Sequence, residues 1–146
     1  MTNKIIETRK NANKLLPEIL KILINCINND ISFIKCRVKS VDSIYKKMKK
    51  LNIDFEEVYD FIGYCVVVND TNSCYKTLEE IINSNKIVIK EVVDYIKVPA
   101  DSNKYQAIHI RCQYKNLPLE IQIRSIEMNN KAERDYISYK AGKFEI

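Results

Sequence analysis

The chain has a single histidine, no C-x-x-C pair among its five cysteines, and no apolar run of membrane-spanning length. One histidine and scattered cysteines leave too few ligands for a structural zinc site. An odd cysteine count without paired spacing reads as free thiols in a reducing compartment, which points to a cytoplasmic protein. Glu18 and Lys21 interrupt the most apolar helical segment, which argues against a membrane partner. Met1 leads into polar and charged residues rather than the apolar core of a signal peptide. There is also no repeat, low-complexity segment or linker. The 146 residues therefore read as one domain, 1–146, with an N-terminal helical segment over about 1–30.

What is present is ordinary in bulk and informative in placement. Hydrophobic residues at 46% and charged residues at 29% are those of a globular protein able to bury a core. A net charge of +5 suits a polyanionic ligand such as a nucleotide or RNA, though scattered lysines also serve solubility alone.

The stretch with the clearest pattern is Leu117-Pro118-Leu119-Glu120-Ile121-Gln122-Ile123-Arg124. Strict alternation is the period of a strand with one face in a core, so Leu117, Leu119, Ile121 and Ile123 look inward. Glu120, Gln122 and Arg124 then face the other way. Ala107 to Cys112 alternates as well, with Ile108 and Ile110 opposite His109 and Arg111. A short turn at Lys115-Asn116 joins the two as an antiparallel hairpin. This places the only histidine, a carboxylate, an amide and two guanidinia on one side of a sheet.

Earlier in the chain, helical spacing runs from residue 4 to 28, with Pro17 expected to open a second helix or mark a kink. Ile31 to Val38 reads as a short strand. Ser40 is a good N-cap for a helix with Asp42 in its first turn, Lys49 and Lys50 in its last, and a buried stripe of Val41, Ile44, Met48 and Leu51. A helical turn covers Phe55 to Tyr59. Phe61 to Val68 has the continuous apolar character of an interior strand, and Asp60 stands at its entrance. A carboxylate there needs a partner, a hydrogen bond or a cation. A helix with Cys74, Leu78, Ile81 and Ile82 inward follows, then a strand over Lys86 to Val98 and a loop from Pro99 to Lys104. After the hairpin a charged helix runs from about Ile126 to Lys140. The order α-β-α-β-α-β-β-β-α implies a mixed sheet with helices, an α+β or α/β single domain.

Four pieces resemble the synthetase domain of the RelA/SpoT family, the makers of the alarmone (p)ppGpp. They are Arg37-Val38-Lys39-Ser40-Val41-Asp42-Ser43-Ile44-Tyr45-Lys46-Lys47-Met48, Tyr59-Asp60-Phe61-Ile62-Gly63, Tyr105-Gln106-Ala107-Ile108-His109 and Leu119-Glu120-Ile121-Gln122-Ile123-Arg124-Ser125. The resemblance spans about residues 35 to 140. It implies an α+β, nucleotidyltransferase-like mixed sheet of about five strands flanked by helices. It implies transfer of the β,γ-pyrophosphate of ATP to the 3′-hydroxyl of GDP or GTP, with Mg2+ as cofactor and no role for DNA. By the same resemblance, Arg37, Lys39 and Lys47 hold the ATP phosphates. Asp60 and Glu120 ligate the metal, Glu120 also helping to activate the hydroxyl. Tyr105 stacks on the acceptor base, while His109 and Gln122 line its pocket. The residue types suit phosphoryl chemistry in their own right, since catalysis there is mainly positioning plus stabilisation by cations.

Two departures stand out. The family's arginine two positions after the Ala/Gly is Cys65 here, and the acceptor loop, usually N-P-K-P-x-G-Y, has Lys104 in place of its glycine. They keep other readings in play: a toxin-like relative acting on tRNA 3′ ends or adenosine nucleotides, or a catalytically decayed nucleotide- or RNA-binding module. The oligomeric state is open, because the C-terminal helices that join small alarmone synthetases into tetramers have no counterpart in the sequence.

Overall fold

The computed structural model describes residues 2–100 and 103–140, with side chains through residue 137. Asp101 and Ser102 of the acceptor loop lie outside the described residues. Helix α1 (Thr2–Cys26) leads to strand β1 (Ile31–Val38), α2 (Val41–Leu51) and a 3₁₀ turn (Phe55–Glu57). Then come β2 (Ile62–Val68), α3 (Thr71–Asn83), β3 (Val88–Asp94), β4 (Ile108–Tyr114), β5 (Leu117–Ser125) and α4 (Ile126–Lys140). The five strands form one mixed sheet in the order β1-β2-β5-β4-β3. Only β2 and β5 pair in parallel. The fold is α+β, with β2 in the interior as its unbroken apolar run requires.

The β4–β5 hairpin closes through Lys115 and Asn116 at φ 49° and 65°, with Tyr114 paired to Leu117. Positive φ at both central residues matches the right-handed twist of the flanking strands. Burial along β5 alternates without a break, and Ile108, Ile110 and Cys112 are buried on β4. The apolar face packs under α1 and α3, where Ile5, Ala12, Ile19 and Leu23 meet Ile121, Ile123 and Ile81 in one core. Tyr64 crosses this layer and donates to the Leu16 carbonyl at 2.6 Å.

Four local expectations change. Helix α1 is continuous through Pro17 rather than divided into two helices; its buried Ile5, Ala12, Ile19 and Leu23 pack on the core together with Ile27, which outweighs the backbone bond that a proline removes. Strand β3 stops at Asp94 rather than reaching Val98, because the Asp94 carboxylate accepts from the Ile96 and Lys97 N–H groups at 2.9 and 3.0 Å and folds the chain into a turn. On α3, Thr77 is buried and Ile82 exposed, since the Thr77 hydroxyl donates to the Ser73 carbonyl and meets the Asn29 amide. On α2, Leu51 is exposed at the end of the helix and Ile44 alone is fully buried. Among the described residues no helix is long and apolar enough to cross a membrane, and all five cysteines are free.

Candidate active site

The polar face of the sheet forms the floor of a cleft of about 1120 Å³. Every candidate except Lys47 lines it: Arg37, Lys39, Asp60, Tyr105, His109, Glu120 and Gln122. Lys47 reaches the same place from α2 by pairing with Asp60.

At one end, Asp60 sits in the turn before β2 and is held by two ammonium groups. Lys39 Nζ is 3.2 Å from Oδ2 and Lys47 Nζ 2.9 Å from Oδ1. The backbone sets this up: the Lys39 N–H donates to the Phe61 carbonyl at 2.8 Å, extending the β1–β2 pairing past the strand end. Arg9 of α1 donates to the Lys39 carbonyl at 2.9 Å. Each carboxylate oxygen of Asp60 thus faces one ammonium group, Oδ1 that of Lys47 and Oδ2 that of Lys39. Burial raises the Asp60 pKa, but the two ammoniums more than offset it and hold the carboxyl below its usual range. Next to this group Arg37 lies along Gly63, its register partner, where a Cβ would stand 3.9 Å from the Arg37 Cγ and Nε.

The middle of the floor is the β4–β5 pair. His109 and Gln122 are register partners, as are Arg111 and Glu120. Gln122 Nε2 donates to Glu120 Oε1 at 2.8 Å, and His109 Nδ1 is 3.7 Å from the same oxygen. His109 Nε2 meets the Tyr105 hydroxyl at 2.7 Å, and that hydroxyl accepts from Arg124 Nη2 at 3.2 Å. The Glu120 carboxylate on the Nδ1 side favours the ring proton there, which leaves Nε2 to accept from the Tyr105 hydroxyl. Burial depresses the His109 pKa; the Glu120 carboxylate opposes this and the Arg124 and Arg111 guanidinia reinforce it, so the ring is neutral near pH 7. Burial likewise raises the Tyr105 hydroxyl.

Several site residues carried no assigned role in the sequence reading. Arg124 stacks 5.5 Å from the Tyr105 ring centre and also donates to Gln122 Oε1 at 2.8 Å and Asn129 Oδ1 at 3.2 Å. Its signal was its place two residues after Gln122, on the same strand face. Tyr95 packs edge-on to His109, with ring centres 5.1 Å apart, from a turn whose position no periodicity foretells. Arg111 stacks on Tyr59 at 3.5 Å and hydrogen-bonds its hydroxyl, and Lys47 lies 5.2 Å from the same ring.

Among the described residues no three His, Cys, Asp or Glu side chains cluster to form a complete metal cage. The donor set of the cleft is of the kind Mg2+ takes, a hard cation that needs only one or two carboxylates and fills its shell with phosphate oxygens and water. Both carboxylates, Asp60 and Glu120, line the same cleft as Arg37 and Lys39, the cations that would meet phosphate oxygens there.

A cationic end, two carboxylates and an aromatic pocket lie on the polar face of one mixed sheet, and the α+β fold that carries them is that of the small alarmone synthetases. The structure of small alarmone synthetase 1 from Bacillus subtilis matches with a TM-score of 0.79 at 22% identity, over 98% of this chain and 81% of that one. The sequence profile of the region found in RelA / SpoT proteins matches residues 36–143, and the chain belongs to that family. A guanosine-3′,5′-bis(diphosphate) 3′-pyrophosphohydrolase from Aquifex aeolicus is 32% identical over 151 residues, covering 97% of this chain and 21% of that protein. A GTP pyrophosphokinase from Myxococcus xanthus is 35% identical over 111 residues, covering 73% of this chain and 14% of that protein. The chain thus spans about a fifth or less of the length of these curated relatives.

Proposed function

We propose that this domain is a pyrophosphokinase that transfers the β,γ-pyrophosphate of ATP to the 3′-hydroxyl of GDP or GTP. The observation that carries the reading is the division of the cleft into two ends. One gathers Arg37, Lys39 and Lys47 around Asp60, and the other gathers Tyr105, His109 and Gln122 around Glu120. The first end suits a triphosphate, because arginine offers a bidentate fork and lysine a point charge. The second suits a nucleoside: the Tyr105 ring offers a stacking face worth about 1–3 kcal/mol. The B. subtilis synthetase 1 has been solved bound to its product pppGpp and to AMPCPP, which supports nucleotides as ligands of this architecture.

In this reading Asp60 and Glu120 would hold Mg2+, which would supply positive charge to the transferring phosphoryl groups. Lys39 and Lys47 exchange the Asp60 carboxylate for ATP phosphate oxygens. The acceptor hydroxyl attacks the β-phosphorus, the bond to the α-phosphate oxygen breaks, and AMP leaves. Glu120 stands ready to accept the hydroxyl proton, with its carboxylate fixed by the Gln122 amide and bordered by the neutral His109 ring. Tyr105, held by His109 and Arg124, keeps the acceptor base in place.

A second reading, a nucleotide-binding domain without turnover, draws on Cys65 standing where an arginine is usual. Incubation with γ-labelled ATP and a panel of GDP, GTP, ATP and deacylated tRNA separates the two. Label in GDP or GTP supports synthesis, and label in tRNA or ATP moves the assignment to a toxin-like relative. Nucleotide binding with no transfer leaves a binding module.

A further inference from the structure

Cations recur at alternate positions along the edge of the cleft: Lys35 and Arg37 on β1, then Lys39 just past the strand end. Alternate strand residues share a face and are spaced by about 6.6 Å, so this row runs for about 13 Å. Lys35 is the one member with no role so far. It is the register partner of Cys65 on β2, and it lines the cleft. Its ammonium donates to Asn129 Oδ1 of α4 at 3.4 Å, and Arg124 Nη1 donates to the same oxygen at 3.2 Å from β5. Two cations therefore converge on a neutral amide oxygen beside Cys65. Among the described residues Arg124 hydrogen-bonds to neutral acceptors, Asn129, Gln122 and Tyr105, and its Nε is buried with no hydrogen-bond partner. Lys35 also pairs with Glu133. Among the described residues, the two cations of this group have one carboxylate paired with them.

We propose that Lys35 and Arg124 form an anion subsite beside Cys65 that takes a phosphate group of a bound polyphosphate chain, with Glu133 holding Lys35 until the phosphate arrives. The proposal rests on the nucleotide reading above and adds a binding residue to it. The Lys35–Glu133 pair is half exposed, at 45% and 49%, and exposed pairs contribute little. A phosphate facing two cations makes charge-assisted bonds and displaces the carboxylate readily. The subsite also supplies positive charge beside β2 where residue 65 is a cysteine: Lys35 stands directly across the strand pair from it.

The test is calorimetric titration of the whole chain with two probes, AMPCPP and inorganic tripolyphosphate. Lys35→Met weakens both by about tenfold. Glu133→Gln tightens both by about two- to fivefold, because it frees Lys35. Opposite signs from the two halves of one ion pair exclude a merely structural pair, which moves both variants the same way or neither. Lys35→Arg, or Cys65→Arg added to Lys35→Met, restores the affinity. Binding of tripolyphosphate without AMPCPP keeps the subsite and removes the nucleotide reading. Binding of AMPCPP with Lys35→Met unchanged, weakening by both ion-pair variants alike, or recovery by neither arginine variant overturns the subsite alone. Binding of neither probe overturns both.

Discussion

Replacing Asp60 by asparagine keeps the shape of the side chain and removes its charge, which leaves Lys39 and Lys47 facing an amide at 3.2 and 2.9 Å. Removing one partner of a buried ion pair costs about 3–5 kcal/mol, because the remaining charge is desolvated without compensation. Here the lysine side chains keep 12% and 23% of their surface, so water recovers part of that, and about 2–3 kcal/mol is expected. For a domain of this size that lowers Tm by about 6–9 °C. Lys47→Met should cost less, about 1 kcal/mol, since Lys39 still balances the carboxylate. The pH dependence follows the same pair. The folded Asp60 pKa lies below its unfolded value near 3.8, so the stabilisation is complete above that value and is lost as the pH falls through the folded one. Asp60→Asn lacks this acid slope, and tripolyphosphate should raise its Tm more than that of the wild type. Urea and thermal melts read all three effects. An Asp60→Asn protein as stable as wild type, or less affected than Lys47→Met, would refute the idea that the carboxylate is the counter-charge of two lysines.

Three further outcomes follow from the same geometry. Glu120→Gln should keep the fold and bind AMPCPP within about threefold of wild type, yet lose at least about a hundredfold in label transfer, a split read by calorimetry beside a turnover assay. His109, with its pKa depressed by burial, makes folding less favourable as the pH drops below its unfolded value of 6.5; His109→Asn should flatten that part of the stability curve, and an unchanged slope would place the titration elsewhere. Pro17→Ala should stabilise the protein by about 1–2 kcal/mol, since α1 regains a backbone bond in return for a freer unfolded chain, and an unchanged urea midpoint would show that the helix accommodates the ring without loss.

Much of the floor of the cleft was legible because β4 and β5 obey a period of two. His109, Glu120, Gln122 and Arg124 share a face for the same reason that Ile108, Ile121 and Ile123 are buried. The hairpin turn at Lys115-Asn116 and the cap at Ser40, whose hydroxyl accepts from the Ser43 N–H, are local features that a sequence exposes directly. What sequence could not give were meetings that depend on strand order. Lys35 beside Cys65, and Arg124 with Lys35 on Asn129, follow from β2 lying between β1 and β5. Strand order also decides that Arg111 reaches Tyr59. Tyr95 was misplaced in a strand because its spacing fitted one, while the Asp94 side chain ended that strand a residue earlier.

The most direct measurement is product analysis after incubation with ATP, GDP and Mg2+. A pyrophosphokinase yields AMP and a guanosine carrying two added phosphates at its 3′ position in equal amounts, and Glu120→Gln should produce neither. ADP in place of AMP would mean transfer of a single phosphoryl group. Bound nucleotides recovered unchanged would mean that the cleft binds without reacting. Either result would contradict a pyrophosphokinase.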